Sequence, residues 1–307
     1  MTRSHVPSDV RARAAVITVS YGSGEALEVF LSSLREHHGD EIPVVVVDNK
    51  PDHESVEALA SRFGALYLPL PDNPGYGAGM NRGVSAIEAM RSSADRPFDA
   101  YFFCNPDLRF VEPAVEPLLD SLSGDVDAGS IGPRLLNEDG TTYPSARDIP
   151  SLGTGIGHAL FGRVWKGNPW TRRYQKASDY ERRRSAGSLS GAAVMVKQSV
   201  YERIGGWDEA YFMHFEDIDL GYRIGLAGFT NVYDPVVSVE HVGAHSTKNH
   251  AVVVERAMTE SAVRFMGKRY AGFRNAPLRW AITLGLRLRG GLKVAAARRG
   301  ERMERAS

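Results

Sequence analysis

The chain has 307 residues, 43% hydrophobic and 24% charged, an ordinary globular composition that supports one large domain or two small ones. The single cysteine, Cys104, excludes an internal disulfide framework and suits a reducing compartment. The opening MTRSHVPSDVRARAAV holds no apolar core of signal-peptide length, and no run of about 18 apolar residues is present to cross a membrane.

Residues 14–20, AAVITVS, are apolar and β-branched, which predicts a buried strand. GEALEVFLSSLREH then places Leu27, Phe30, Leu31 and Leu34 at helical spacing. IPVVVVDN predicts a second strand, and its four valines fit a sheet covered on both faces, as parallel sheets are. ESVEALASRF predicts a helix and GALYLPL a third strand. GYGAGMNRGVSAIEAM reads as a glycine-rich loop that becomes a helix, and FDAYFFCNPD as a fourth strand with a polar end. This alternation over the first hundred residues implies a doubly wound α/β domain.

Beyond about residue 130 the alternation loosens. The Gly, Pro and aromatic content of residues 140–190 predicts long loops or lid-like segments. SLSGAAVMVKQSVYERIGGWDE returns to a strand at 192–196, a short helix and a turn. FEDIDLGYRIGLAGF opens a further helix, with Leu220, Ile224 and Ala227 on one face and Gly228 at its end. TNVYDPVVSVEHVG is extended.

Charge is uneven along the chain. Twelve Lys or Arg stand against two Glu from Arg264 to Ser307, whereas the preceding 263 residues hold 25 basic and 35 acidic side chains. Within the basic region, PLRWAITLGLRLRGGLKVAAARR mixes Trp280, Ile282, Leu284, Leu286, Leu288 and Leu292 with Arg and Lys. Such a segment suits an anionic membrane surface; a solvated face or disorder is the plainer alternative. Nucleic acid is disfavoured, because the tail offers one aromatic and no nucleic-acid motif.

In open parallel sheets, ligands sit beyond the carboxyl ends of strands. Four such ends carry candidate residues: Thr18, Ser20 and Tyr21; Asp48 and Asn49; Asn73 through Asn81; and Asn105 through Asp107. YGSGE lacks the third glycine of a dinucleotide fingerprint, since Leu27 stands there, and Glu41 precedes the second strand; a nicotinamide site is therefore rejected. In NPGYGAGMNRG, glycines such as Gly77 and Gly79 permit close backbone approach, and the following helix N-terminus favours phosphate. The stretch lacks the G-K-[ST] of a P-loop, and a plain tight loop is its alternative reading.

Asp107 follows an apolar strand and Pro106. It is either a turn former or a ligand to a hard divalent ion bridged to a diphosphate. Magnesium and manganese tolerate one carboxylate when substrate phosphates and water complete the shell. His241, His245 and His250 lie in VEHVGAHSTKNH. A structural zinc is disfavoured without Cys partners; the histidines are ordinary loop or core residues, or His241 joins Asp107 at the metal. In YFMHFEDIDLGYR, Glu216, Asp217 and Asp219 follow an aromatic run. They mark a helix start or deliver a carboxylate to a pocket, while Arg223 is placed for a surface pair with Asp219.

Together VDN at 47–49, NPGYGAGMN, NPD at 105–107 and EDIDLGYR resemble the inverting GT-A glycosyltransferases of family two. YPSARDIPSL, NPWTRRY, LSGAAVMV, GGWDEAYFMHFEDIDLGYRIGLAG and AHST are similar to the actinobacterial rhamnosyltransferases of cell-wall linker synthesis. The resemblance covers about residues 14–285 and is more specific for the family than for the sugar. It implies a GT-A fold, a doubly wound and mostly parallel sheet, over residues 1–275. A nucleotide-sugar half spans 14–130 and an acceptor half 131–275, followed by a basic membrane-associating tail over 276–307. The implied reaction moves L-rhamnose from dTDP-β-L-rhamnose to polyprenyl-diphosphate-linked N-acetylglucosamine, with a magnesium or manganese cofactor. The protein would work in the cytoplasm, peripheral to the inner face of the membrane, and an oligomer is compatible with the sequence.

By the same resemblance, Asp48 contacts the base, and Asn105 and Asp107 occupy the D-x-D position. Asn105 replaces the first acid, which weakens the metal site or makes it lean on the diphosphate. Asp217 is implied as the base with Glu216 as runner-up, and His241 is at a spacing where relatives hold metal. Ser190, Gly191 and Trp207 are read as lining the acceptor; core packing is the equal alternative for Trp207. Inversion would give an α-linked product. A sugar-1-phosphate nucleotidyltransferase is the competing enzyme class, disfavoured because SYGSGEAL carries no Arg or Lys. A non-catalytic glycan or lipid binder is disfavoured by the intact acid pair and Asp107.

Overall fold

The computed structural model describes residues 13–51, 54–91, 96–150, 179–242 and 251–304. The predicted loops over 151–178, NPWTRRY, His245 and His250 lie outside these residues. The first half follows the predicted alternation. Strands β1 (Ala14–Ser20), β2 (Val44–Asp48), β3 (Leu66–Pro69) and β4 (Ala100–Cys104) are connected through helices α1 (Gly24–His38), α2 (Glu54–Arg62) and α3 (Tyr76–Met90). These strands form parallel neighbours in the order β3-β2-β1-β4. Chain order reverses between β1 and β4, so their carboxyl ends open a crevice where a doubly wound sheet binds ligands. All residues of β1, β2 and β4 are buried, as strands covered on both faces must be.

Helix α3 starts earlier than the glycine-rich loop predicted for this segment, at Tyr76. Gly79 and Gly83 lie one turn apart on its buried face. A Cβ at Gly83 would come within 2.5 Å of Ile17 Cγ2, and one at Gly79 within 2.9 Å of Val19 Cγ2. The two glycines therefore let the helix lie close against β1.

The second half departs from simple alternation. Strand β5 (Leu108–Phe110) and helix α4 (Val115–Ser123) lead to β6 (Ala128–Leu136), whose nine residues run through the segment where the pattern loosens. Short strands β7 (Thr142–Tyr143), β8 (Ala146–Arg147), β9 (Arg184–Ala186) and β10 (Ser188–Leu189) precede β11 (Ala193–Lys197). Strand β11 runs antiparallel between β4 and β6, joining the halves into one sheet. Helices α5 (Gln198–Ile204) and α6 (Glu216–Leu226) follow, then the twelve-residue β12 (Thr230–His241). Two C-terminal helices, α7 (Ala251–Arg269) and α8 (Ala276–Glu304), close the chain.

Candidate active site

The β1–β4 crevice opens into a cleft of about 1210 Å³ lined by Tyr21, Asn49, Asn73, Asn105 and Asp107 among others. Asn49 in its lining, and Thr18 and Ser20 on the strand leading to it, have buried polar atoms with unused bonding capacity. The hydroxyls of Thr18 and Ser20 and Oδ1 of Asn49 are buried without a hydrogen-bond partner among the described residues. Asp48 sits beside Ser20 across the β1–β2 ladder. Its carboxylate accepts the Tyr67 hydroxyl at 3.1 Å and the Lys50 amide at 3.0 Å. Burial and the neighbouring Asp48 push the Tyr67 phenol up to about 12, so it remains a donor at neutral pH. At the cleft edge, half-exposed Tyr21 has the Lys50 ammonium 5.7 Å from its ring centre. Orphan polar atoms of this density carry a desolvation penalty unless a ligand meets them.

Asn73 adopts φ 41°, and Gly75 φ 96°. A Cβ at Gly75 would overlap the Phe212 carbonyl, which accepts the Tyr76 amide at 3.1 Å. This contact brings the start of α3 against the segment leading to the acid pair. Three other candidates from the glycine stretch are engaged in contacts within the protein. Gly77 faces Trp207, and Gly79 faces Val19. Asn81 accepts the Tyr201 hydroxyl at 2.5 Å and the Trp207 amide at 2.9 Å, and donates to the Trp207 carbonyl and to Glu209 at 2.9 Å. Its amide is occupied by protein. Glycines inside a helix allow close packing, and an Asn this fully bonded ties loops together.

The acid pair stands beside Tyr76 and Gly191. His214 and Phe215 both have positive φ, 64° and 67°, and α6 begins at the next residue. Two consecutive left-handed non-glycine residues cost roughly 1–3 kcal/mol each, so neighbouring structure must hold them. Helix α7 does so: Ser261 donates to the Met213 carbonyl at 2.9 Å, and Phe265 packs on Phe215 at 5.8 Å between centroids. Glu216 and Asp217, directly after this turn, are half-buried.

Asp217 Oδ2 accepts the Gly191 amide at 3.2 Å, and Oδ1 accepts the Ile218 amide at 2.8 Å. Tyr76, which lines the cleft, donates its hydroxyl to the Gly191 carbonyl at 2.6 Å. Burial foremost, then the charges of Glu216, Asp217 and Asp107 among others, raise this phenol well above its ordinary value. Oε2 of Glu216 has no partner among the described residues. Desolvation first, and the adjacent Asp217 charge second, push Glu216 up to about 8. Glu216 therefore retains its proton near neutral pH, while Asp217 is fixed by two backbone amides. Burial lowers nearby His214.

Ser190 accepts the Ala192 amide at 3.3 Å and borders Gly191. Trp207 is 1% exposed beneath them, edge-on to Tyr76 and Phe103. Of the two readings of Trp207, this burial favours core packing. Asp219 and Arg223 differ from a surface pair as well. Asp219 is fully buried and accepts Arg223 at 2.6 Å, Lys268 at 2.6 Å and the Tyr211 hydroxyl at 3.3 Å. Arg223 also donates to the Ile204 and Gly206 carbonyls. Tyr76, His214, Ser261 and Lys268 escape a sequence reading, because each acts across a contact remote in the chain.

Asp107 Oδ1 and His241 Nε2 are 3.3 Å apart. Both atoms are buried and lack a hydrogen-bond partner among the described residues. The Val242 amide donates to the Asp107 carbonyl at 2.9 Å, tying the ends of β4 and β12 together. Two orphan ligand atoms facing one another fit a shared cation. No cluster of three or more His, Cys, Asp or Glu suited to a metal occurs among the described residues, so a bound phosphate group would have to complete such a shell.

A doubly wound sheet whose strand ends open a cleft beside a partly buried acid pair is the architecture of a GT-A glycosyltransferase. The comparisons agree. The model for glycosyl transferase family 2 matches residues 15–205, and that for glycosyltransferase-like family 2 matches residues 167–259. The chain belongs to glycosyl transferase family 2. It is 37% identical, over 94% of both chains, to the N-acetylglucosaminyl-diphospho-decaprenol L-rhamnosyltransferase of Mycobacterium tuberculosis. It is 25% identical to the rhamnosyltransferase WbbL of Escherichia coli, covering 83% of this chain and 92% of that one. The mannosyltransferase PcManGT of Pyrobaculum calidifontis, solved with GDP-Man and Mn2+, shares the fold at a TM-score of 0.56 and 15% identity, covering 97% of this chain and 76% of that one.

Proposed function

We propose that this glycosyltransferase moves L-rhamnose from dTDP-β-L-rhamnose to a polyprenyl-diphosphate-linked N-acetylglucosamine, with inversion. The carrying observation is that Tyr76, which lines the cleft, lies close enough to Glu216, Asp217 and Asp107 to feel the charge of all three, so the acid pair and the end of the strand side converge there. The 37% identity to the mycobacterial rhamnosyltransferase supports the choice of sugar and acceptor.

Asp48, Asn49, Thr18 and Ser20 receive the nucleoside, and Tyr21 and Lys50 flank it. Asn73 and Asn105 line the path of the diphosphate. Asp107 and His241 would hold magnesium or manganese, which would supply charge neutralisation to the diphosphate leaving group. Asn105 is neutral where the family places an acid, so this chain relies on the diphosphate oxygens for the rest of the shell. Ser190 and Gly191 present the acceptor side. Asp217 accepts the proton of the attacking hydroxyl at its carboxylate, a contribution on the order of 10²–10⁴-fold. Glu216, protonated, keeps a second negative charge away from the incoming diphosphate. Displacement from the face opposite the leaving group turns a β-linked donor into an α-linked product.

The test incubates the protein with dTDP-rhamnose, a divalent metal and a short-chain lipid-diphosphate N-acetylglucosamine. An α-rhamnosyl product is expected. Release of dTDP from another sugar nucleotide, with none from dTDP-rhamnose, would move the assignment to a different donor.

A further inference from the structure

Helix α8 leaves an apolar line uncovered. Trp280, Leu284, Leu288 and Leu292 recur every fourth residue and drift slowly around the helix. They are 70%, 44%, 62% and 74% exposed, and Phe273, just before the helix, is 94% exposed. Large apolar side chains in such a row are uncommon on a surface that meets only water. The opposite face is occupied by α7. A Cβ at Gly290 would overlap Thr259, Lys293 pairs with Glu255 at 2.9 Å, and Arg279 donates to the Tyr270 carbonyl at 3.3 Å. The two helices are thus antiparallel, and the apolar line faces outward.

Charge identifies what covers it. Residues 276–304 carry seven Arg or Lys and two Glu. Exposed Arg287 and Arg289 flank the line near its middle. We propose that α8 docks this face onto an anionic lipid bilayer, lying in the interface with its leucines in the acyl region and its arginines at the headgroups. Among the described residues no helix is long and apolar enough to cross a membrane, so α8 lies on the surface.

The geometry also sets the orientation of the cleft. Glu255, the partner of Lys293, is next to Val254, which lines the cleft together with Val253. The Leu292 end of the docked face therefore sits beside the cleft wall. A bilayer bound there lies close to the opening through which a lipid-linked acceptor would enter. Docking itself needs no substrate, so its test is independent of the proposed transfer.

The experiment is co-sedimentation of the full chain with phosphatidylcholine vesicles, with and without phosphatidylglycerol, while tryptophan emission is followed and the share of Trp280 is taken from the difference to Trp280→Phe. The wild type is expected to bind only the anionic vesicles, with a blue shift. L284Q/L288Q/L292Q should lose at least about tenfold in vesicle affinity. R287Q/R289Q should lose roughly tenfold and show a shallower salt dependence. Both variants should keep wild-type turnover on a short-chain acceptor without vesicles. If the leucine variant does not fold, judged by circular dichroism, the arginine variant decides alone. Undiminished binding by the folded variants, or none by the wild type, overturns the proposal. A concentration-dependent dimer that L284Q/L288Q/L292Q abolishes, without vesicle binding, also overturns it and gives the face to a second copy of the chain.

Discussion

The two sides of the cleft are built by different means. On the strand side, Thr18, Ser20, Asp48 and Asn49 sit on or directly after continuous parallel strands, and backbone register alone fixes their positions. On the acid side, Glu216 and Asp217 follow two left-handed residues and are held by groups remote in sequence: Gly191, Ser261, Phe265 and Lys268. A sheet edge presents polar groups with little strain. A carboxylate pair aimed inward from a tight turn depends on tertiary restraint.

The largest effect should separate the two sides chemically. Asp217→Asn is expected to lower kcat by at least about 10²-fold while dTDP binding stays unchanged. Glu216→Gln mimics the protonated partner and should remain active at neutral pH. In the wild type, activity should fall as pH rises through about 8, where Glu216 ionises beside Asp217, and this limb should vanish in Glu216→Gln. Activity that instead rises through this pH, with Asp217→Asn tolerated, would make Glu216 the base.

On the strand side, Asp107→Asn with His241→Ala should abolish the strengthening of dTDP binding by Mn2+, an effect of roughly tenfold or more by titration calorimetry. Unchanged metal linkage would remove this pair as the cation site.

Stability should divide in the same way. Gly83→Ala forces α3 off β1 and should cost ~1–3 kcal/mol in urea unfolding, because the 2.5 Å approach to Ile17 cannot relax cheaply. Lys268→Met removes one of three partners of buried Asp219 and should cost about 1–3 kcal/mol. It should also lower kcat, since Asp219 lies one turn from the acid pair, whereas Gly83→Ala should leave kcat nearly intact in the folded fraction. Equal effects of the two on kcat would erase the distinction.

The smallest effect concerns Glu216 in the folded state. Its folded value near 8 lies above its ordinary value of 4.5. Between these values the unfolded chain releases a proton that the folded chain retains, so stability declines as pH rises through this window. Glu216→Gln should flatten the decline and be more stable than wild type above pH 8, by ~1–3 kcal/mol. A parallel pH dependence in both proteins would contradict the raised value.

Local pattern made much of the molecule legible. The run AAVITVS becomes β1 without a change of boundary, and the four valines become the fully buried β2. The polar strand ends could be named because a strand's end is a local event. The missed elements β6 and α7 lack a strong period of their own: β6 contains Gly129, Gly132 and Pro133, and α7 mixes polar residues through its face. The bonding of Asn81 and the burial of Trp207 were not legible, because composition cannot distinguish a polar or aromatic residue that lines a cavity from one that supports it.

The sequence by itself determined the alternating first half, the order of ligand-suited strand ends, the adjacent acids and the basic apolar tail. These depend on near neighbours and on hydrophobic period. Tertiary structure decided which side chains retain unpaired capacity: Asn81 is consumed by Trp207, Tyr201 and Glu209, whereas Asn49, Asp107 and Glu216 keep buried atoms free. It also decided that Asp219 is a buried anchor and that the leucines of α8 face outward. The physical reason is that a polar atom's availability, and a carboxylate's affinity for protons, are set by everything packed around it, and most of that comes from distant parts of the chain.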